Sequence, residues 1–409
     1  MEEPAGFLNK NSPRKRRNRD EPKVIPSQLP DEIVDEILTR LPVKSLLRFK
    51  CICKRWLFTI SNPNFHKRKL KSVLLTVSSH NDYTTFYSIN NADPAFINPF
   101  SMSWSYDKVW FRQDPIVSNS CNGLVLISFG VSVFLFNPST RYSIKVLTLD
   151  RLQDFAVMGL CYDAYANDYK AVVCMDDESP ELGSAFVLVA SLKSKQWIGV
   201  GFPFDACTVM EGPVVDGQMH WTVLESTDDD ASTDKKIIRF DPRTNKFHDF
   251  PSPLSKFGGV NAIVGLGDPD GRLWMARGDN RYNFQAQEGD VEILVMKEYG
   301  VVESWTTVFV LSNLGVNPYY GNLIPFLITK HRELLLMLLR YDIISPGKVL
   351  AYNPRTKSYR TILEIPLPDY VFHGTSLVES LVSPADYRWD PIRHSKLGGQ
   401  INWQKSDSV

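Results

Sequence analysis

The sequence has no surplus of charge of either sign and no long apolar run. Its 409 residues include 46 Lys and Arg and 46 Asp and Glu, so the net charge is +0 and no overall field attracts nucleic acid or an anionic membrane. Apolar runs such as residues 334–339 are far too short to span a bilayer. The N-terminus lacks the apolar core of a signal peptide, and no Asn-x-Ser/Thr acceptor with a permissive middle residue occurs. We therefore expect no membrane and no nucleic-acid partner.

The sequence also lacks a disulfide framework, which bears on the compartment. The six cysteines, at positions 51, 53, 121, 161, 174 and 207, lie mostly within apolar segments. We predict buried free thiols in a reducing environment, and hence the nucleus or the cytoplasm. Residues 1–24 are polar and predict a disordered tail. Its basic cluster at residues 14–17 is either a nuclear localisation signal or a solvated run of charge, and both alternatives stay open.

Motifs of common enzymes and metal sites are missing as well. There is no His-Glu-x-x-His, no Gly-x-x-x-x-Gly-Lys and no Gly-x-Ser-x-Gly. Cys51 and Cys53 have no second pair at zinc-finger spacing. We expect His220 to be a packed or hydrogen-bonded strand residue, and we assign the acidic runs 176–178 and 228–230 to solvated loops. The sequence thus predicts no catalytic residue, no metal and no cofactor.

The first ordered part of the chain has a helical pattern. Between Pro30 and Pro42, apolar residues recur every three or four positions, which predicts an amphipathic helix. Two more short helices are predicted, from residue 43 to about residue 51 and around residues 54–60. Three helices in about 45 residues cannot bury their own apolar side chains. Part of that surface should therefore meet a second domain or a partner.

This stretch resembles the F-box family. The matching pieces are Leu29-Pro30-Asp31-Glu32-Ile33, Ile37-Leu38, residues 41–46 and Cys51-x-Cys53-Lys54-Arg55-Trp56. The resemblance implies binding to a Skp-type adaptor, which tethers the protein to a cullin-based ubiquitin ligase. Carried over by position, the adaptor-binding residues would be Leu29, Pro30, Ile33, Ile37, Leu38, Leu41, Pro42, Leu46, Leu47, Cys51 and Trp56. The alternative that such side chains only hold the helices against a neighbouring domain stays open, above all for Leu38 and Trp56.

From residue 72 onwards, short alternating or apolar segments separated by turn residues predict antiparallel strands. A turn motif repeats along them, as Phe136-Asn137-Pro138-Ser139-Thr140, Phe240-Asp241-Pro242-Arg243-Thr244 and Tyr352-Asn353-Pro354-Arg355-Thr356. The Asn or Asp side chain caps such a turn, and Pro presets φ at the next position. With weaker copies between these three, the period is about 50 residues, as in kelch propeller blades.

The repeat predicts a propeller of about six blades with four strands each. Residues 375–382 could supply a strand that closes the first blade, which would limit the exposed sheet edges. Trp197, Trp221, Trp274 and Trp305 occur once per unit and should pack inside the blades.

Residues 115–385 also resemble the F-box-associated domain of plant F-box proteins. The matching pieces include Ser120-Cys121-Asn122-Gly123-Leu124, Asn137-Pro138-Ser139-Thr140-Arg141 and Val378-Glu379-Ser380-Leu381. The predicted fold is therefore an α+β multidomain chain, with a small all-α three-helix F-box followed by an all-β kelch-like propeller. The predicted boundaries are 1–24 for the tail, 25–71 for the F-box, 72–385 for the propeller and 386–409 for a flexible C-terminal tail.

On this resemblance, the expected function is that of a non-catalytic substrate-recognition subunit of a Skp–cullin–F-box E3 ubiquitin ligase. The F-box would dock on the adaptor, and the propeller would bind a protein target that the sequence does not identify. Two alternatives stay open. One is a stand-alone propeller lectin or enzyme with a helical cap. The other is DNA binding by the helices, because residues 43–71 contain nine Lys and Arg and no Asp or Glu.

Overall fold

The structure is a computed structural model in which a helical part is followed by an all-β part. It describes residues 29–41, 43–61, 71–78, 84–90, 97–102, 116–129, 132–148, 158–175, 186–202, 204, 210–224, 235–253, 263–278, 290–312, 321–340, 347–364, 370–387, 392–393 and 402–403. The predicted tail at residues 1–24, Pro42 and both acidic runs lie outside these residues.

Three short helices open the described part of the chain, as the apolar pattern predicts. They are α1 Asp31–Thr39, α2 Val43–Phe49 and α3 Lys54–Ser61. The first turn of α1 begins at Pro30, whose carbonyl accepts hydrogen bonds from the backbone N–H groups of Ile33 and Val34 (3.0 and 3.1 Å). No helix in the described part of the chain is long and apolar enough to cross a membrane.

Strands make up most of the remaining described residues. They are β1 Lys71–Ser78, β2 Thr84–Asn90, β3 Ile97–Met102, β4 Ile116–Val117, β5 Val125–Phe129, β6 Ser132–Asn137, β7 Tyr142–Thr148, β8 Met158–Asp163, β9 Asp168–Met175, β10 Phe186–Ser191, β11 Gln196–Gly201, β12 Met210–Val215, β13 Gln218–Leu224, β14 Lys235–Asp241, β15 Lys246–Phe250, β16 Ile263–Gly267, β17 Trp274–Gly278, β18 Val291–Met296, β19 Trp305–Leu311, β20 Gly321–Ile328, β21 Leu334–Arg340, β22 Lys348–Asn353, β23 Ser358–Glu364, β24 Tyr370–Val378, β25 Ile392–Arg393 and β26 Asn402–Trp403.

These strands form six sheets of four or five strands. The first sheet has the order β24-β1-β2-β3, the second β25-β7-β6-β5-β4, and the third β26-β11-β10-β9-β8. The fourth, fifth and sixth sheets contain β12–β15, β16–β19 and β20–β23 in sequence order. Apart from β24, β25 and β26, each strand pairs with its sequence neighbours, which is the meander of a propeller blade.

The sheets are arranged in a closed ring. Six hydrophobic clusters each join two neighbouring sheets. They connect the first sheet to the second, the second to the third and so on, and the last cluster connects the sixth sheet to the first. The predicted closure of the first sheet is confirmed, because β24 runs antiparallel to β1 from Lys71 opposite Val378 to Ser78 opposite Tyr370. The closing strand lies at residues 370–378, however, and not at the predicted residues 375–382. Trp197, Trp221, Trp274 and Trp305 are all buried, as predicted, but each packs in a cluster between two neighbouring sheets and not inside one sheet.

The repeated turn motif has the predicted geometry. Oδ1 of Asn137, Asp241 and Asn353 each accepts a hydrogen bond from the backbone N–H two residues later, at 2.8, 2.8 and 2.9 Å. Each turn ends on a residue with left-handed φ, namely Arg141, Asn245 or Lys357. The side-chain cap and the left-handed residue together reverse the chain between the third and fourth strands of a sheet.

The prediction of a flexible C-terminal tail was wrong for two short segments. β25 runs parallel to β7, at the outer edge of the second sheet, and β26 runs parallel to β11, at the outer edge of the third. Sequence patterning missed them because each is only two residues long and carries no alternation. Their pairing uses backbone groups that an edge strand leaves unpaired.

The cysteine prediction holds only in part. Cys51, Cys53, Cys121 and Cys161 are free thiols, and Cys121 and Cys161 are buried in the propeller. Cys51 and Cys53 are exposed, because they lie in the short connection between α2 and α3 and not in the packed core of the helices.

Candidate docking surface on the helical unit

The helical unit, residues 29–61, has an apolar side that is packed and another that faces solvent. On α1, Leu38 is only 1% exposed, and it packs with Val34 and Leu41 in the core of the unit. Leu29, Ile33 and Ile37, spaced four residues apart, are 57%, 49% and 46% exposed. A spacing of four places Ile33 and Ile37 on one helix face. We call Leu29, Ile33 and Ile37 the α1 stripe.

The core of the helical unit is completed from the far end of the chain. Leu38, Val43, Leu46 and Ile60 form the buried cluster, and the fifth buried member is Leu381, which follows the closing strand of the propeller. The sequence predicted that three short helices could not bury their apolar surface alone, and this contact is how the inward side is covered. The helical unit therefore packs on the propeller with one side, while the α1 stripe remains uncovered.

Several further exposed apolar residues were not predicted from the sequence. Leu47 is exposed and was among the predicted residues. Ile52, Leu57 and Phe58 are also exposed, but the sequence analysis did not predict them as binding residues. Phe58 is 76% exposed because it follows Trp56 by two residues, a rotation of about 200° around α3. Trp56 itself faces inward, with its ring 5.2 Å from that of Phe49. Helical spacing from Trp56 was the signal that could have identified Phe58.

The structure divides the eleven predicted adaptor-binding residues into groups. Six are exposed: Leu29, Pro30, Ile33, Ile37, Leu47 and Cys51. Leu38 and Leu46 are buried in the core, where direct contact with a partner would require the helices to separate. Leu41 and Trp56 are half-buried against that core, and Pro42 lies outside the described residues. The alternative left open for Leu38 and Trp56, packing within the chain, is what the structure shows for both side chains.

An ion pair joins α1 to α3, and further polar contacts lie at the ends of single helices. Arg55 of α3 forms an ion pair with Asp31 in the first turn of α1, and Arg40 pairs with Glu36 one turn earlier (2.7 Å). The backbone N–H of Trp56 donates to Sγ of Cys53 (3.4 Å), so Cys53 caps α3. These pairs are exposed, and each contributes only about 0–1 kcal/mol to stability. Among the basic residues that suggested DNA binding, Arg55 is thus paired within the helical unit.

His220 connects the fourth sheet of the propeller to the turn that follows β18 in the fifth sheet. His220 is buried between the backbone carbonyl of Pro213 (3.2 Å from Nδ1) and the hydroxyl of Tyr299 (3.0 Å from Nε2). A carbonyl only accepts, so Nδ1 carries the proton and Nε2 accepts from Tyr299. Burial lowers the pKa of His220 to about 4. The prediction of a hydrogen-bonded strand residue is confirmed.

A second buried polar group, Lys170, joins the third and fourth sheets. Its ammonium group donates to Oδ1 of Asn245 (2.8 Å) and to the carbonyl of Pro242, and it lies 3.7 Å from the Asp163 carboxylate. A buried charge needs such partners to offset the loss of water. Within the described residues no group of three or more His, Cys, Asp or Glu side chains is arranged to hold a metal ion.

Comparison with known proteins identifies both parts of the chain. The F-box domain family matches residues 26–68, and the family described as the F-box associated beta propeller domain matches residues 72–370. Among curated proteins, the chain is 27% identical to the F-box/kelch-repeat protein At3g23880 of Arabidopsis thaliana over 315 residues, which is 71% of this chain and 81% of that protein. It is 26% identical to the Arabidopsis F-box protein CPR1 over 344 residues, 76% of this chain and 79% of that one.

A helical unit with an uncovered apolar stripe, joined to a β-propeller, together with these matches, defines the class of F-box proteins. The resemblance found in the sequence is thereby confirmed. The chain belongs to the family that carries an F-box-associated beta-propeller domain behind the F-box. Both are domain families of non-catalytic adaptors, and the F-box domain implies binding to a Skp-type adaptor.

Proposed function

We propose that this protein is the substrate-recognition subunit of a Skp–cullin–F-box E3 ubiquitin ligase. The single observation that supports it best is the α1 stripe, a set of large apolar side chains left half-exposed in a domain matched by the F-box family. Exposed apolar residues at helical spacing are typical of surfaces that bind a partner. The adaptor would cover this stripe and connect the chain to a cullin.

In this function the protein contributes position and not chemistry. An adaptor bound to the F-box would hold the conjugating machinery near a target bound to the propeller, which raises the effective concentration of target lysines at the reactive thioester. The protein would then need neither catalytic residue nor cofactor. We also propose that it acts in the nucleus or the cytoplasm, where free thiols persist.

The target would bind at the end of the propeller that lies away from the helical unit. The turns at residues 138–141, 242–245 and 354–357 each follow the third strand of a sheet, and the first of them lies against residues that contact the helices. Antiparallel pairing therefore puts the last residue of the second strand and the first residue of the third strand at the opposite end of each sheet. A target held there would leave the adaptor side free.

Substitution of Leu29, the first residue of the α1 stripe, together with its exposed neighbour Pro30 tests the adaptor-binding surface. We expect Leu29→Ala with Pro30→Ala to weaken binding of a Skp-type adaptor by about 2 kcal/mol or more, about 30-fold in Kd, because an exposed apolar anchor is lost. The measurement is calorimetric titration of purified full-length chain with the adaptor. The matched control is Val308→Ala with Val310→Ala, an exposed apolar pair on β19 of the propeller. A folded Leu29/Pro30 variant that binds like this control would refute the assignment.

A further inference from the structure

Three segments of the chain meet at one place in the structure. All three resemble the F-box-associated family, and neither adaptor binding nor target binding explains them. They are the turn at residues 121–124, the turn at residues 137–141, and the chain that follows β24. We call residues 379–387 the connecting segment. It leaves the closing strand of the propeller and runs between the second sheet and the helical unit.

Asn137 holds the connecting segment on the propeller. Its Oδ1 caps the turn, as in the other repeats, but its Nδ2 donates to the backbone carbonyls of Ser380 (3.0 Å) and Val382 (2.7 Å). The side chain is completely buried. The equivalent turn residues Asp241 and Asn353 are partly exposed, and an aspartate serves the turn at position 241 equally well. The turn alone therefore does not require an amide at position 137, whereas the connecting segment does.

The turn at residues 121–124 leaves room for the connecting segment, because it has a glycine at position 123. Gly123 has φ of +79°, and a Cβ atom there would overlap with Ser380 Cβ and the carbonyl of Val378. The backbone N–H of Ser380 donates to Oγ of Ser139 (3.2 Å). Two turns of the second sheet thus shape a surface on which the backbone of residues 378–382 lies.

The other side of the connecting segment belongs to the helical unit. Leu381 is buried in the core formed by α1, α2 and α3. A carboxylate oxygen of Glu379 accepts from the backbone N–H of Val43 (3.4 Å), the first residue of α2. Burial lowers the pKa of Lys50, at the end of α2, and the nearby carboxylate of Asp386 partly offsets this effect.

The far end of the segment is anchored again in the propeller. Residues Pro384–Tyr387 form a short 3-10 helix, and Pro384 is buried. The ring of Tyr387 packs edge-on against that of Tyr169 in β9, with centroids 5.2 Å apart. The segment is therefore fixed to the propeller before and after the point at which Leu381 enters the helical core.

We propose that the connecting segment is a shared structural element that completes the helical core and fixes the orientation of the F-box relative to the propeller. Asn137, Gly123 and Leu381 are then positioning residues that touch neither adaptor nor target. Their importance for ubiquitin transfer rests on the proposed function, but the coupling of the two domains does not. A fixed orientation would hold the target at one distance from the adaptor.

Asn137→Asp tests the amide of Asn137, and Asn353→Asp is its matched control. Both variants keep Oδ1 for the turn, but only Asn137→Asp replaces the donor to the two carbonyls of the connecting segment. We expect amide hydrogen exchange in α1–α3 of the free full-length chain to accelerate at least tenfold in Asn137→Asp and to stay at the wild-type rate in Asn353→Asp. Equal exchange rates in α1–α3 for wild type and both variants would overturn the proposal.

A distance measurement separates positioning from general stability. Spin labels introduced as unnatural amino acids at the exposed positions Arg40 and His248 report the distance between the helical unit and the propeller. The distance is measured by double electron–electron resonance. We expect one narrow distance distribution for wild type and Asn353→Asp, and a distribution at least twice as wide for Asn137→Asp and for Leu381→Ala. Leu381→Ala acts from the helical side and leaves the propeller turns unchanged. Narrow distributions in both variants would contradict the proposal, whatever the affinity for the adaptor.

Discussion

At the residue scale, His220 shows how a polar side chain can be structural. It is fully buried, donates to one carbonyl and accepts from Tyr299 of the next sheet, and has Phe250 packed edge-on at 4.9 Å. Burial is the largest cause of its lowered pKa, and the positive charge of Arg239 adds to it. The neutral form is therefore the one that fits between the fourth and fifth sheets.

Protonation of His220 should destabilise the propeller at acidic pH. The pKa falls from 6.5 in the unfolded chain to about 4 in the folded chain, so the unfolded state binds more protons between these values and stability decreases as pH falls. The loss is at most about 3 kcal/mol at pH 4. His220→Gln cannot titrate, and its free energy of unfolding should fall less steeply than that of wild type from pH 6.5 to pH 4. Denaturant titrations at several pH values measure this, and parallel curves would count against it.

At the element scale, the turns of the propeller were predictable from sequence, and their partners were not. The Asn-Pro and Asp-Pro motifs specify a capped reversal through local hydrogen bonds, and the four tryptophans specify buried strands. Nothing local distinguishes the buried amide of Asn137 from the partly exposed amide of Asn353. The two amides differ only in their tertiary contacts, because Asn137 donates to the carbonyls of residues 380 and 382. Those residues follow Asn137 in the sequence by 243 and 245 positions.

The docking helices show the same limit. Apolar periodicity predicted α1 correctly but could not tell which apolar residues face inward, because the inward side is defined by Leu381 at the other end of the chain. Leu38 and Leu46 were therefore grouped with the exposed Leu29, Ile33 and Ile37. The resemblance supplied a set of residues, and burial divides that set into core and surface.

The Asn122-Gly123 turn provides a prediction for one element. Gly123→Ala should lower the free energy of unfolding by roughly 2–4 kcal/mol, since it combines left-handed φ strain with overlap against the connecting segment. Gly271→Ala is the control, because Gly271 has φ of +87° and no atom lies within 4 Å of the place that a Cβ would occupy. It should cost only about 1 kcal/mol. Chemical denaturation of both variants measures the difference, and equal losses would show that overlap with residues 378–380 is unimportant.

At the scale of the whole molecule, the C-terminal region contributes unequally to stability. β24 is the innermost strand of the first sheet and closes the ring, whereas β25 and β26 are two-residue additions to outer edges. We expect removal of residues 388–409 to lower the free energy of unfolding by roughly 1–3 kcal/mol, since its described residues, 392–393 and 402–403, add a few edge hydrogen bonds. Removal of residues 370–409 should abolish the folded propeller. Calorimetry of the two truncated chains distinguishes these outcomes, and a folded chain ending at residue 369 would disprove closure by β24.

The most direct test of the central claim is the mass of the complex formed with a Skp-type adaptor. Full-length chain and adaptor are co-expressed, purified and passed over a size-exclusion column with light-scattering detection. Docking through the uncovered α1 stripe predicts a single species with one adaptor per chain, and two separate species for the Leu29/Pro30 double variant. If the folded wild-type chain elutes apart from the adaptor, the protein is not a receptor of this ligase class.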